Sequence, residues 1–211
     1  MPSDSTVVAT RFSGSLDEAG FPPPAAWNSV PSVLFNADWQ GNNPDSHRET
    51  EVALLWTPET LFLRYRCRFR TITVFPAADN PSGRRDHLWD RDVAEVFIQP
   101  NPALPRNYFE FEVSPNGFWI DLEIRPGELI HLESGLKSRV HCSEPQKLWF
   151  AELALPLRSL IESFDPAAAW RINFFRVEGA SEPRFYSSWR PTNSPQPNFH
   201  VPASFGTLVF R

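Results

Sequence analysis

Proline sets the strongest limit on what this chain can fold into: 22 of its 211 residues are proline and only nine are glycine. Proline has no N–H to donate and a fixed φ, so it breaks helix interiors and is tolerated at strand ends and turns. Its intervals run mostly from about 8 to 18 residues, a spacing suited to strands joined by proline-containing turns. The chain reads as all-β with little helix, the one plausible short helix being LRSLIESF at 157–164.

Hydrophobic residues form 41% of the sequence and aromatics 14%, enough for a sizeable core and too apolar for intrinsic disorder. This length is one that a single β-rich domain fills. No repeat, low-complexity tract or linker divides it, so residues 1–211 are expected as one domain, with 1–48 a mostly irregular segment wrapped over the core. Twenty basic against 25 acidic residues lack the positive footprint of a phosphate binder, which argues against nucleic acid as a partner. The first residues lack a basic region followed by an apolar one, and no run of 18 apolar residues occurs, so the expectation is a chain that is soluble as given, without export signal or membrane partner. Cys67 and Cys142 are too few for a disulfide framework and lack zinc-site spacing; both are expected to pack as small hydrophobes.

Period-two patterns supply the strands. Residues 51–75 hold two of them, broken at Thr57-Pro58, which predicts a hairpin. In its second half Leu61, Leu63, Tyr65, Cys67 and Phe69 alternate with Arg64, Arg66, Arg68 and Arg70, placing the arginines on the polar face. In DVAEVFIQ, Ala94, Val96 and Ile98 fall on one side and Val93, Glu95, Phe97 and Gln99 on the other. A second hairpin is predicted over 107–125, with Phe109, Phe111 and Val113 answering Phe118, Ile120, Leu122 and Ile124, and Glu110, Glu112, Asp121 and Glu123 on the opposite face. Trp56, Trp149, Trp170 and Trp189 lie in or beside strand patterns and are expected in the core. Opposed arginines and carboxylates on a sheet are ordinarily a solvated ladder worth ~0.2–1 kcal/mol per pair. The functional alternative is a polar face meeting a polyhydroxylated ligand.

The chemistry-bearing patterns are few. Asp86, His87, Asp90 and Asp92 crowd one loop, where their oxygens could hold a structural calcium ion, but no glycine supplies the turn of a twelve-residue calcium loop, and a solvated loop leading into a strand is the favoured reading. The five histidines form neither HxH nor HExxH, GxSxG is absent, and no phosphate or dinucleotide loop occurs. Glu95 and Glu112 could in principle be the paired carboxylates of a glycan hydrolase.

Taken in order, EVALLWTPETLFLRYRC, HLWDRDVAEVFIQP, NYFEFEVSPNG, WFAELALPL, INFFRVEG and SSWRPTNSPQPNFHVPASFGTLVFR resemble the family 9 carbohydrate-binding modules and their DOMON-like relatives over residues 50–211. W-x-x-D-x-x-E-V-F at 89–97 and F-G-x-L-x-F at 205–210 are the more specific motifs. The resemblance implies a jelly-roll-like antiparallel β-sandwich that binds sugar, needs no cofactor and does no chemistry. It puts Trp89 and Phe199 at the two aromatic walls of a sugar clamp, the second a tryptophan in the family. Glu95, Arg184 and Asn193 fall at hydroxyl-binding positions, and Glu112 stands where relatives carry a basic residue. Each keeps a structural alternative: Trp89 as a hydrophobic plug, Phe199 as a cap on the sandwich. Arg176, beside Phe174-Phe175, is either a buried ion-pair partner or a pocket residue. Relatives are often secreted, whereas this chain as given reads as cytoplasmic. A haem-binding function also occurs in the superfamily; it normally needs an axial methionine, and the sole methionine here is Met1, which leaves only a bis-histidine version.

Overall fold

The computed structural model describes residues 5–77 and 83–211. Thirteen strands follow in chain order. They are β1 (Thr6–Arg11), β2 (Ser32–Phe35), β3 (Thr50–Trp56), β4 (Thr60–Arg68), β5 (Val93–Gln99), β6 (Tyr108–Val113) and β7 (Trp119–Arg125), then β8 (Glu128–His131), β9 (Lys137–Ser143), β10 (Leu148–Pro156), β11 (Trp170–Glu178), β12 (Phe185–Ser188) and β13 (Gly206–Phe210). Among the described residues helix is confined to single 3₁₀ turns, and the LRSLIESF segment contributes one of them, Leu157–Ser159.

The strands form one mixed sheet in the order β8-β7-β6-β5-β11-β13-β1-β3-β4-β10-β9, with β12 on β11 and β2 on β3. The sheet curls until β4 packs on β5 and β11: Tyr65 donates its hydroxyl to the Glu95 carbonyl at 2.8 Å, and its ring lies 6.3 Å from that of Phe174. The enclosed core takes Leu61, Leu63, Tyr65 and Cys67 from one limb and Ala94, Val96, Ile98, Ile172 and Phe174 from the other. Trp56, Trp149 and Trp170 are buried there, and Trp189 packs against it. This is the expected all-β sandwich. One feature was not expected: β1 runs parallel to both neighbours, β13 and β3, and joins the two limbs. The 1–48 segment is thus irregular only in part. Val7 and Ala9 face the core, while Phe21 and Trp27 do wrap, covering Leu55, Phe62 and Ala154.

The first hairpin forms as predicted, β3 pairing with β4 from Trp56↔Leu61 to Thr50↔Cys67. Arg64 and Arg66 point away from the core and meet cross-strand carboxylates, Glu152 at 3.6 Å and Glu51 at 3.8 Å, as a partly solvated ladder. The second hairpin also forms, but its faces differ from expectation. Ser114 N–H bonds to the Phe118 carbonyl around a three-residue turn, and an odd turn keeps residue parity, so Val113 opposes Trp119 and Glu112 opposes Ile120. Glu110 and Glu112 therefore share a face with Ile120 and Leu122, while Phe111 shares the other with Asp121. Both faces are covered, so parity alone, not polarity, decides. Cys142 is a further correction: Cys67 is buried, but Cys142 on edge strand β9 is exposed.

Candidate functional site

The outer face of β7-β6-β5-β11-β12 carries a second apolar cluster, built by Phe97, Ile120, Leu122, Phe175 and Val177. Two connections cover it, one leading into β5 with Leu88 and Trp89, the other between β12 and β13 with Phe199 and Phe205. Between sheet and connections lies a cavity of about 270 Å³.

Five of the six residues singled out from the sequence line this cavity: Trp89, Phe199, Glu95, Arg184 and Glu112. Trp89 sits half-buried on a 3₁₀ turn, Leu88–Asp90. Phe199 stacks on Phe175, centroids 4.3 Å apart and planes 17° from parallel, so it caps the sheet and walls the cavity at once. Arg184 fixes the entrance turn: its Nη1 donates to the Trp89 carbonyl at 2.8 Å, its Nε to Glu182 at 3.2 Å, and its guanidinium lies 4.8 Å from the Tyr186 ring centroid. Asn193 does not join them. It is exposed with a left-handed φ of 55°, next to Thr192, whose N–H is tied to the Trp39 carbonyl, and the loop carries it outside the lining.

The sheet supplies the floor. Glu95 and Glu112 are directly opposed across β5 and β6, and Glu110 lies two residues along β6 on the same face, opposite Phe97. All three are buried, and one carboxylate oxygen from each lies within 4.8 Å of the others. Burial, and then the neighbouring carboxylates, pushes Glu95 and Glu112 well above the usual carboxylate range. Glu110 is raised too, chiefly by burial, against the opposing pull of Glu112 hydrogen bonding and His200. Glu110, Tyr186, Asn198 and His200 line the cavity and were not among the residues singled out. The alternation of Glu110 with Glu112 in YFEFEV was the available signal; Tyr186 and His200 gave none.

Other expectations fall elsewhere. Arg176 is buried in the sandwich core, its guanidinium 5.1 Å from the Trp149 ring centroid and Nη1 3.3 Å from the Val93 carbonyl, and it does not line the cavity. The aspartates of the 86–92 loop do not converge: Asp92 is buried and accepts from the Gly179 N–H at 2.6 Å, whereas exposed Asp86 lies 3.5 Å from His131. The arginine ladder of β4 is on the other limb and leaves the glutamates untouched.

No family profile matches the sequence. A curated "extracellular protein" of Arthroderma benhamiae is 26% identical over 207 residues, which cover 89% of this chain and 88% of that protein. Among solved structures, a candidate carbohydrate-binding protein from Bacteroides uniformis aligns with a TM-score of 0.76 at 17% identity, over 98% of this chain and 99% of its own. A family 9 carbohydrate-binding module from Caldicellulosiruptor kristjanssonii aligns in its complex with cellotriose at a TM-score of 0.67 and 12% identity, covering 98% of this chain and 93% of that one. Its complex with glucose gives 0.65 and 13%, covering 98% and 95%. At such identities the likeness is one of fold alone, shared with these carbohydrate-binding structures. No helix among the described residues is long and apolar enough to cross a membrane.

Proposed function

We propose that this chain is a non-catalytic carbohydrate-binding domain of the family 9, DOMON-like type, taking the end of a sugar chain or a free monosaccharide into the cavity beneath Trp89. The observation that carries this reading is the pairing of aromatic rings with carboxylates in one small cavity. Sugars present apolar C–H faces to rings and hydroxyl edges to hydrogen-bonding groups. Trp89, Phe199 and Tyr186 offer the first, Glu95 and Glu112 the second. A volume of about 270 Å³ sits at the small end of ligand pockets and suits one ring better than a long chain. The shared fold makes glucose and cellotriose, ligands of the aligned module, the first sugars to test.

Hydrolysis fits the cavity poorly. Carboxyl groups that flank a glycosidic bond stand about 5 to 9.5 Å apart. Here Glu95 and Glu112 lie side by side on adjacent strands, each with a carboxylate oxygen within 4.8 Å of one of the other's, closer than that span. A hydroxyl bonded to a charged group contributes ~1.5–3 kcal/mol, less when solvated, so two or three such bonds give micromolar to millimolar binding. A calorimetric screen of mono- and disaccharides, with a glycan array, tests the reading. A saturable sugar that produces no new reducing ends supports it; release of reducing ends at a rate lost in Glu95→Gln would overturn it.

A further inference from the structure

The cavity floor gathers three buried carboxyl groups. Glu95, Glu110 and Glu112 are 2%, 3% and 0% exposed. Among the described residues, none outside this carboxylate cluster donates a hydrogen bond to either carboxylate oxygen of Glu112 or to Oε2 of Glu110. The nearby cationic side chains are engaged elsewhere: Arg184 donates to the Trp89 carbonyl and to Glu182, and His200 is hydrogen-bonded through Nδ1 to the Tyr108 hydroxyl at 2.7 Å, leaving 3.9 Å to Glu110 Oε2. Three carboxylates this close cannot all ionise in a dry site without a counter-charge. Arg184 acts on Glu95 and His200 on Glu110 by charge alone, without a hydrogen bond, and among the described residues neither oxygen of Glu112 has a partner outside the cluster.

We propose that Glu95, Glu110 and Glu112 bind a calcium ion on the floor of the cavity, and that the open coordination positions of this ion receive sugar hydroxyls, the second half resting on the carbohydrate reading above. Oxygens that share a calcium ion at 2.3–2.6 Å lie no more than ~4.6–5.2 Å apart, and the three glutamates each place one within 4.8 Å of the others. The donor set is all oxygen, which selects a hard cation over zinc or copper. Magnesium keeps several of its waters and demands a tighter octahedron, which a floor of three buried carboxylates does not furnish. Calcium takes six to eight oxygens, of which three mono- or bidentate carboxylates supply three to six. The same cavity is bounded by Trp89 and Phe199, so a sugar ring lying against them brings adjacent hydroxyls to the remaining positions.

The test uses the full chain stripped with a chelator and titrated with calcium chloride in a calorimeter, alongside terbium luminescence excited through tryptophan. Melting temperatures are read with chelator and with saturating calcium. Saturable one-site binding and a calcium-dependent rise in melting temperature are expected. Affinity should be at least tenfold weaker in Glu112→Gln and in Glu110→Gln, each at least as stable as the wild type in chelator. No saturable binding, or binding unchanged in both folded variants, overturns the site. The best sugar from the screen is then titrated in both conditions. Binding at least tenfold tighter with calcium supports hydroxyl ligation; a sugar bound equally well in both overturns it. Sugar binding without any calcium binding removes the ion and leaves the carbohydrate reading standing, while calcium binding with no sugar does the reverse.

Discussion

Glu95 on β5 and Glu112 on β6 face each other directly across the strand pair, two buried carboxylates where a sheet ordinarily places an opposite charge or an apolar pair. Such an arrangement costs the fold stability, and the surrounding structure holds it regardless. Phe97 and Phe175 flank it with ring centroids 4.8 Å apart, and the backbone of β5 is pinned from behind by the Tyr65 hydroxyl. A locally unfavourable pair maintained by well-packed neighbours is the pattern of a binding site.

The metal-free protein should be more stable in mild acid than at neutrality. Burial raises Glu95, Glu110 and Glu112 above their ordinary 4.5 and Asp92 from 3.8 to about 6. Groups raised in the folded state hold protons more tightly there than unfolded. Their contribution is full below the ordinary value and is lost as pH climbs through the raised one. Asp17 and Asp45, lowered by hydrogen bonds from the Phe21 N–H and from Arg70 respectively, have the opposite sign but lose stability only as pH falls below about 3.8. Melting temperature in chelator is therefore expected to fall from about pH 4.5 towards neutrality, and Glu112→Gln to flatten the fall. A steady climb over that range in both proteins would count against it.

Arg184 is a positioning residue. Its bond to the Trp89 carbonyl holds the Leu88–Asp90 turn at the mouth of the cavity. Arg184→Ala should weaken sugar binding by roughly five- to thirtyfold, about 1–2 kcal/mol, while costing little in stability. Arg184→Lys should recover only part, because an ammonium cannot reproduce the fork that reaches Trp89 and Glu182 together. Unchanged affinity in Arg184→Ala would show that the turn holds itself.

The two thiols should separate cleanly. Cys142 is exposed, whereas Cys67 is fully buried and its thiol is pushed up to about 11 by desolvation. An alkylating reagent at neutral pH is expected to modify Cys142 in the native protein and both cysteines in denaturant, read by mass spectrometry. Modification of Cys67 under native conditions would mean that the β4 limb opens.

What the sequence disclosed follows from where water is. Arg64 and Arg66 border solvent, so alternation with Leu63 and Tyr65 reveals both strand and face, and DVAEVFIQ divides as its pattern says. Legibility fails where both faces are covered. In the β6–β7 hairpin, apolar residues lie on each side and the three-residue turn decides which side Glu112 takes. Strand β1 was obscured because TVVATR carries two core positions in a short polar surround, and its parallel partners lie about 45 and 200 residues away. Among site residues, Trp89 and Glu95 were reachable because one motif joins them. Tyr186 and His200 arrive from other segments and only folding brings them to the cavity.

Tryptophans of the core and of the cavity should respond differently to truncation. Trp56 is buried against Phe164 and Phe210, and its Nε1 donates to the Arg211 carbonyl at 3.1 Å. Trp56→Ala is expected to destabilise by ~3–5 kcal/mol in denaturant titration. A loss below 1 kcal/mol would mean that this corner of the core is not packed as described.

The cavity under Trp89 is expected to bind sugar. The most direct measurement is a calorimetric titration of glucose, cellobiose and the screen's best sugar, in calcium and in chelator, into the wild type and Trp89→Ala, with melting temperatures of both proteins. Saturable, micromolar to millimolar binding by the wild type should disappear in Trp89→Ala while the melting temperature stays within a few degrees. Binding that survives Trp89→Ala, or a Trp89→Ala protein that unfolds as Trp56→Ala does, would contradict it.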